Sequence, residues 1–465
     1  MTSRKKENAN KFIQNGYNVL NNENYISTIK ALTLFNKAKK RLNKNDSNLP
    51  LVINGINYCN FRKHKYKTIL SDYDKHLEKN PGNITLLLAY ASILEQLCDI
   101  TNAVRIYKMV NKLTNGTINN VLINCIRYDK EIVDLQFIEN ADIKDKSSLY
   151  YMKALLYNRK DDVKREWINY YKYNTTLYNL PFSKMMLDNY RKAFKKLRSL
   201  NKEDTFPKKV IDNEYTLVFI VGFNKSGLNL VNKLLNEHSE IYPIGKVLPD
   251  FSKIKIDNDK DKEGQSKEVQ SKEAQSNDDD DTMYYKLFEE MYYDILSIYK
   301  DSEQLGKNGK YFTICCSEMY MYMGIIVKLF KNVKIIQCER DFMDVGTSLY
   351  TGNYTSQNMN WTTDMNEIIN FHKFYTDNIN HWELSTNDKI VIQYNDLVNN
   401  LNDEMYKVFE FLKLPNIDCS LSHISHIKVE TEDSSLLTKK VYSDSIGKWK
   451  RYDKYLSEFK SYYKK

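Results

Sequence analysis

A chain of 465 residues exceeds one ordinary domain, and its 42% hydrophobic and 13% aromatic content leaves material for more than one core. The formal charge of +9 is spread along the whole length with no basic face interleaved with aromatics, which argues against a nucleic-acid partner. No run of about 18 apolar residues occurs, so no membrane span is expected, and the opening "MTSRKKENAN" lacks the apolar stretch of a signal peptide. The seven cysteines show no metal-type spacing and sit in apolar settings, as reduced core cysteines do. The expectation is a soluble, cytoplasmic protein with no metal centre.

Residues 1–204 read as a helical repeat domain. In "NPGNITLLLAYASILEQLCDITNAVRIYKMVNK", Leu87, Ala91 and Leu94 share one helix face, and Ala103, Tyr107 and Val110 form an i, i+4, i+7 stripe on the next. Ala31, Phe35 and Ala38 repeat that stripe, and Ile69, Tyr73 and His76 repeat it more weakly before Pro81. Residues 145–200 read as further helices that continue or cap the array. The small–aromatic–small spacing resembles the tetratricopeptide repeat, which implies a curved helical solenoid whose concave face takes a protein or peptide partner.

Residues 205–465 read as a second, α/β domain. After the polar linker "NKEDTFPKKVIDNEY", the segments "TLVFIV", "YFTICC", "VKIIQCER" and "KIVIQYNDL" read as strands, separated by helices such as "GIIVKLFKN" and "NEIINFHKFYTDNINHWEL". Such alternation predicts a parallel sheet covered on both faces. Residues 253–282 carry almost no apolar side chains and a short SKEVQ/SKEAQ repeat, and read as a disordered insertion.

The chemistry-bearing stretch is "VFIVGFNKSGLN". A buried strand delivers the chain to Gly222, and the loop through Asn224, Lys225, Ser226 and Gly227 leads into a helix near Leu228. Helix N-terminal N–H groups favour an anion, and glycines let backbone approach it. A triphosphate loop needs Lys and Ser/Thr directly after the second glycine. Here Leu228 and Asn229 occupy those positions, which disfavours a nucleotide kinase, and Lys225 lies ahead of Ser226 and Gly227 instead.

At these residues the chain resembles the sulfotransferases, in particular those with tetratricopeptide repeats ahead of the transferase domain, to which protein-tyrosine sulfotransferases are related. The resemblance implies a P-loop-type sulfotransferase domain with a central parallel sheet. It also implies 3′-phosphoadenylyl sulfate, or its product adenosine 3′,5′-bisphosphate, as the bound nucleotide. In "VKIIQCERDFMDVGTSLY", Arg340 and Ser348 match the family's 3′-phosphate pair. Tyr394 in "IVIQYNDL" matches a residue near the nucleotide. Lys448 in "YSDSIGKWKRY" matches a basic residue of the closing loop, and Ser434 an upstream serine.

The chain departs from the family pattern at the reaction itself. The Glu that serves as base in the relatives, in a Gly-Glu step, is matched by Gly245 and Lys246. The relatives' Lys-containing segment is matched by Ile314, Cys315, Cys316 and Ser317, and the loop's two threonines by Leu228 and Asn229. Two readings follow. In one, Glu318, Asp250 or His238 acts as base and Lys246, with Lys225, stabilises charge. In the other, a degenerate transferase domain serves as a scaffold and the repeats do the work.

Overall fold

The computed structural model describes residues 3–20, 25–128, 138, 143–201, 209–249, 280–303, 309–354, 357–382, 384, 387–420, 441 and 443–463. The first part of the chain is helical: α1 (Ser3–Leu20), α2 (Tyr25–Lys39), α3 (Leu49–Arg62), α4 (Tyr66–Lys79), α5 (Ile84–Gln96), α6 (Ile100–Leu113), α7 (Asn119–Tyr128), α8 (Lys146–Arg159), α9 (Val163–Leu177) and α10 (Leu180–Asn201). From α1 to α9 each helix packs on the next in sequence. The stripes expected from spacing are the buried ones. Ala31, Phe35 and Ala38 are solvent-free, and Leu87, Ala91, Leu94, Ala103, Tyr107 and Val110 fill one core. His76 departs from its stripe. It is half-buried and lies 3.6 Å from Asp72 on the same helix. Helix starts are set by side-chain caps, with Asn83, Asp99 and Asp162 accepting from backbone N–H groups of α5, α6 and α9.

The second part is a five-stranded, all-parallel sheet. Its strands are β1 (Thr216–Gly222), β2 (Ile241–Gly245), β3 (Tyr311–Cys315), β4 (Val333–Glu339) and β5 (Lys389–Gln393), in the order β2-β3-β1-β4-β5. The helices between them are α11 (Leu228–Leu235), α12 (Asp280–Asp301), α13 (Met323–Leu329), α14 (Phe342–Tyr350) and α15 (Met365–His381); α16 (Tyr394–Asn399), α17 (Leu401–Phe411) and α18 (Ser457–Tyr463) follow β5. Both faces of the central strand are covered. Leu217, Phe219 and Val221 enter one core, while Val218 and Ile220 enter the other with α11 and α17. That two-sided burial explains the unbroken apolar run of "LVFIV".

Three expectations are corrected here. "IYPIG" forms β2, a strand absent from the reading by pattern; its Pro243 sits at the sheet border, where a missing N–H costs no ladder bond. The run "KIVIQYNDL" is strand only to Gln393, and Tyr394 begins α16. The polar segment expected over 253–282 ends before Asp280, where α12 starts; residues 253–279 lie outside the described residues.

The two parts of the chain share a core. Trp167 of α9, and Leu187, Phe194 and Leu197 of α10, are buried in the same cluster as Phe219, Val221 and Ile335 of the sheet. Farther along, the α3–α4 turn docks on the sheet's border. Buried His64, at φ 53°, places Nδ1 3.1 Å from the Tyr242 hydroxyl of β2. Lys63 pairs with Asp301 at 2.9 Å, and Glu303 accepts from the Thr68 N–H at 3.0 Å. No helix among the described residues is long and apolar enough to cross a membrane.

Candidate nucleotide site and transfer pair

β1 and α11 are joined by the loop 222–227, which is tightly seated. A side chain at Gly222 would put its Cβ 2.4 Å from the Cys338 carbonyl oxygen of β4 and 2.7 Å from Ser226 Oγ. At Gly227 the φ is +104°, and a Cβ would lie 2.7 Å from the Tyr394 ring. The glycines therefore let the loop pack against its own neighbours, which is a different reason from close approach to an anion. Lys225 also takes a left-handed φ of 71°. Alternating left-handed residues ahead of a helix form a concavity of backbone N–H groups, a geometry suited to anions. α11 has Gly227 at its cap with no side-chain cap bond. The Ser226 hydroxyl is buried there without a hydrogen-bond partner.

Arg340, just past the end of β4, closes the loop from the adjacent strand. Its Nη1 donates to the Lys225 carbonyl at 3.3 Å, and its Nη2 to the Ser445 carbonyl at 2.7 Å. The guanidinium lies 4.2 Å over the Tyr394 ring, and the Tyr394 hydroxyl meets Ser445 Oγ at 2.7 Å. The Arg340 Nε is buried with no partner. Two orphaned buried donors, Ser226 Oγ in the loop and Arg340 Nε on the residue that closes it, thus share this region, and buried donors are ordinarily satisfied. The segment 443–449 completes this wall. Buried Asp344 on α14 accepts from the Gly447 N–H at 2.8 Å and the Trp449 N–H at 3.4 Å.

The other residues expected here are placed as follows. The Lys225 ammonium lies 5.5 Å from the centroid of the Tyr354 ring. Asn224 Nδ2 contacts Met359 Sδ at 3.6 Å, and Leu228 is buried. Asn229 Oδ1 accepts from the Cys315 thiol at 3.6 Å, a thiol that burial pushes up to about 12. Ser348 is half-buried on α14, two turns beyond Arg340, and Lys448 is exposed at the start of the 310 turn Lys448–Tyr455. Ser434 and Asp250 lie outside the described residues. His238 is removed from the site. It lies beyond the C-terminal end of α11, whose 8 residues span about 12 Å at 1.5 Å per residue, and its Nδ1 accepts from the Glu240 N–H at 3.1 Å.

Beyond the loop, sheet pairing brings Gly245 of β2 opposite Ile314 of β3. The residues that follow meet as an ion pair, with Lys246 Nζ 3.4 Å from Glu318 Oε1 and both side chains about two-fifths exposed. Glu318 Oε2 accepts from Cys316 Sγ at 3.1 Å and Ser317 Oγ at 3.0 Å. Burial works against the ionised carboxyl. The Lys246 charge and these donors outweigh it, and hold Glu318 below the usual carboxylate range. The Tyr190 hydroxyl of α10 senses the same two charges; burial and the Glu318 carboxylate push it up to about 12, against the Lys246 charge. Pattern reading missed Asp344, Ser445 and Tyr190. Only the glycine and tryptophan of "IGKWK" signalled that segment's role.

Comparison with known proteins agrees with this layout. Residues 218–418, which run from within β1 to past α17, match the model of the sulfotransferase family. Over 244 residues the chain is 27% identical to an uncharacterized protein of Aquifex aeolicus (strain VF5), a match covering 52% of this chain and 31% of that relative. The match thus spans less than a third of the relative's length. A solved structure, the sulfotransferase domain from the curacin biosynthetic pathway, covers 53% of this chain and 98% of its own at 14% identity and a TM-score of 0.29, a likeness too distant to speak for any residue. The family resemblance therefore lies in the second part of the chain, over the parallel sheet and its helices.

Proposed function

We propose that this protein is a sulfotransferase that moves a sulfuryl group from 3′-phosphoadenylyl sulfate to a hydroxyl or amine acceptor. The observation that carries the reading is the pair of orphaned buried donors, Ser226 Oγ within a strand-to-helix loop and Arg340 Nε on the residue that bonds that loop, inside the family-matched region. They fit a ligand with anionic groups at two ends. The loop 222–227, with Asn224, Lys225, Ser226 and the first N–H groups of α11, would hold the 5′ end. Arg340 with Ser348 would hold the 3′-phosphate, beside Tyr394, Lys448 and Ser434.

3′-Phosphoadenylyl sulfate would supply the sulfuryl group and leave as adenosine 3′,5′-bisphosphate. The protein's part is to position the two reactants in line and to stabilise charge. Glu318 is the carboxylate next to the loop that can accept the acceptor's proton. Lys246 supplies positive charge beside it, and Lys225 would add charge from the loop. On this reading the family's base position holds Lys246, and the carboxylate comes instead from Glu318, just past the stretch that matches the relatives' lysine segment. The helical array would recruit a protein or peptide that carries the acceptor or regulates its delivery, in the manner of tetratricopeptide repeats.

One observation favours a second reading. Lys246 and Glu318 neutralise each other, and the carboxylate is further satisfied by Cys316 and Ser317. A pair so satisfied suits a structural role, with the domain acting as a scaffold. Thermal unfolding with adenosine 3′,5′-bisphosphate or ATP separates the two. The transferase reading expects stabilisation by the bisphosphate alone, lost in Arg340→Ala; a response to neither nucleotide supports the scaffold. Transfer of labelled sulfate across a panel of hydroxyl and amine acceptors then tests the activity itself.

A further inference from the structure

The helical part of the chain reaches the nucleotide site through one buried carboxylate. Glu166, on the first turn of α9, is solvent-free. Its Oε2 accepts from Arg451 Nε at 3.1 Å and Nη2 at 2.9 Å, and its Oε1 from the Tyr452 hydroxyl at 2.5 Å and Asn158 Nδ2 at 2.7 Å. Asp161, in the turn before α9, also pairs with Arg451. Trp167, the next residue along α9, stacks on Tyr455 at 5.3 Å and contacts Tyr452 and Tyr350.

Arg451 and Tyr452 belong to the 310 turn Lys448–Tyr455, which directly continues the segment that closes on Arg340. Counting back along that segment, Trp449 and Gly447 donate to Asp344, and Ser445 meets both Arg340 and Tyr394. The closing segment is therefore strung between two buried carboxylates, Asp344 from the sheet domain and Glu166 from the helical part. Four donors on one buried carboxylate are more than fixing a helix start requires, since the α9 cap is already supplied by Asp162. A bidentate guanidinium also fixes orientation as well as position.

We infer that Glu166 is a positioning residue of the nucleotide site: it sets the 445–452 segment, and through Ser445 the placement of Arg340 and Tyr394. The inference rests on the transferase reading above. It makes the helical part of the chain a structural component of nucleotide binding, whatever partner its other surfaces take.

The test uses the full chain and two readouts, on wild type, Glu166→Gln and Arg451→Lys. Amide hydrogen exchange without nucleotide reads the order of 443–455. Calorimetric titration with adenosine 3′,5′-bisphosphate reads affinity. Both variants are expected to exchange faster over 443–455 than wild type, with 216–235 unchanged, and to bind the bisphosphate on the order of tenfold more weakly. Arg451→Lys keeps the charge and loses the fork, so it covers the case in which Glu166→Gln does not fold. Unchanged exchange over 443–455 overturns the inference. So does faster exchange with wild-type affinity, which is what a merely stabilising contact would give. If wild type itself fails to bind the bisphosphate, the site reading fails and the inference falls with it; that outcome is seen in the wild type and not in the variants.

Discussion

The two ends of the candidate site differ in how their polar groups are satisfied. At the loop end, Ser226 Oγ and Arg340 Nε are buried with no partner, and the backbone turns left-handed at Lys225 and Gly227. At the transfer end, Lys246, Glu318, Cys316 and Ser317 satisfy one another. Unpaired buried donors cost free energy unless a ligand or water uses them, whereas a closed ion pair costs little and offers little. One end is thus prepared for an anion, and the other must open before it can act. The difference teaches where to look for retained function: nucleotide binding should survive changes that abolish transfer.

Four further substitutions test that contrast. The largest effect is expected from Gly222→Ala, whose Cβ would meet the Cys338 carbonyl oxygen at 2.4 Å. The loop must shift off β4, at about 3 kcal/mol, seen as a lower unfolding temperature together with loss of stabilisation by the bisphosphate. A variant that keeps that stabilisation would show the loop to be less constrained than its packing implies. Next, Glu318→Gln should lower transfer by on the order of 100-fold and leave bisphosphate affinity unchanged in titration. Its companion, Lys246→Ala, removes the charge that lowers the Glu318 pKa. The acidic limb of the pH–rate profile should then move to higher pH; an unmoved limb assigns the base elsewhere.

The smallest effect concerns how the transfer end is anchored, because β2, which precedes Lys246, rests on His64. Burial holds His64 neutral, with its pKa lowered to about 4 from 6.5. Between those values the unfolded chain binds the extra proton and the folded one does not. The contribution is therefore complete above pH 6.5 and is lost as pH falls towards 4, by about 1.4 kcal/mol per pH unit. His64→Asn, which tolerates the left-handed backbone, should flatten the fall of unfolding temperature between pH 6.5 and 5. Burial lowers His372 likewise to about 4, so part of the slope should persist.

What the sequence made legible follows from how far apart the cooperating residues lie. β1, its loop and α11 are contiguous, and a buried parallel strand announces itself as an apolar run. The place of Arg340 at a strand end was legible because it directly follows a similar apolar run. β2 was not, since five residues including Pro243 and Gly245 carry too weak a pattern. The helical start at Tyr394 was hidden because the β-forming run "KIVIQ" leads into it, and tertiary contact with Arg340 and Gly227 fixes that ring. The pairing of Lys246 with Glu318 spans 72 residues and exists only because β2 and β3 are neighbours in the sheet. Glu166 and Arg451, 285 residues apart, are farther still from any local signal.

The border position of β2 carries a last consequence. A terminal strand presents a ladder of N–H and C=O groups that another molecule can extend. Here Tyr242 of β2 is occupied by His64, and α12 packs against the same strand. At the opposite border β5, as short as β2, begins with Lys389, a charge that discourages extension. A fragment trimmed to the family-matched span would lose the His64 side of that cover and keep only α12 on β2, while β5 kept its own defences. Such a fragment should clump through that single margin, giving fibrils or precipitate whose growth is seeded on one side of the sheet.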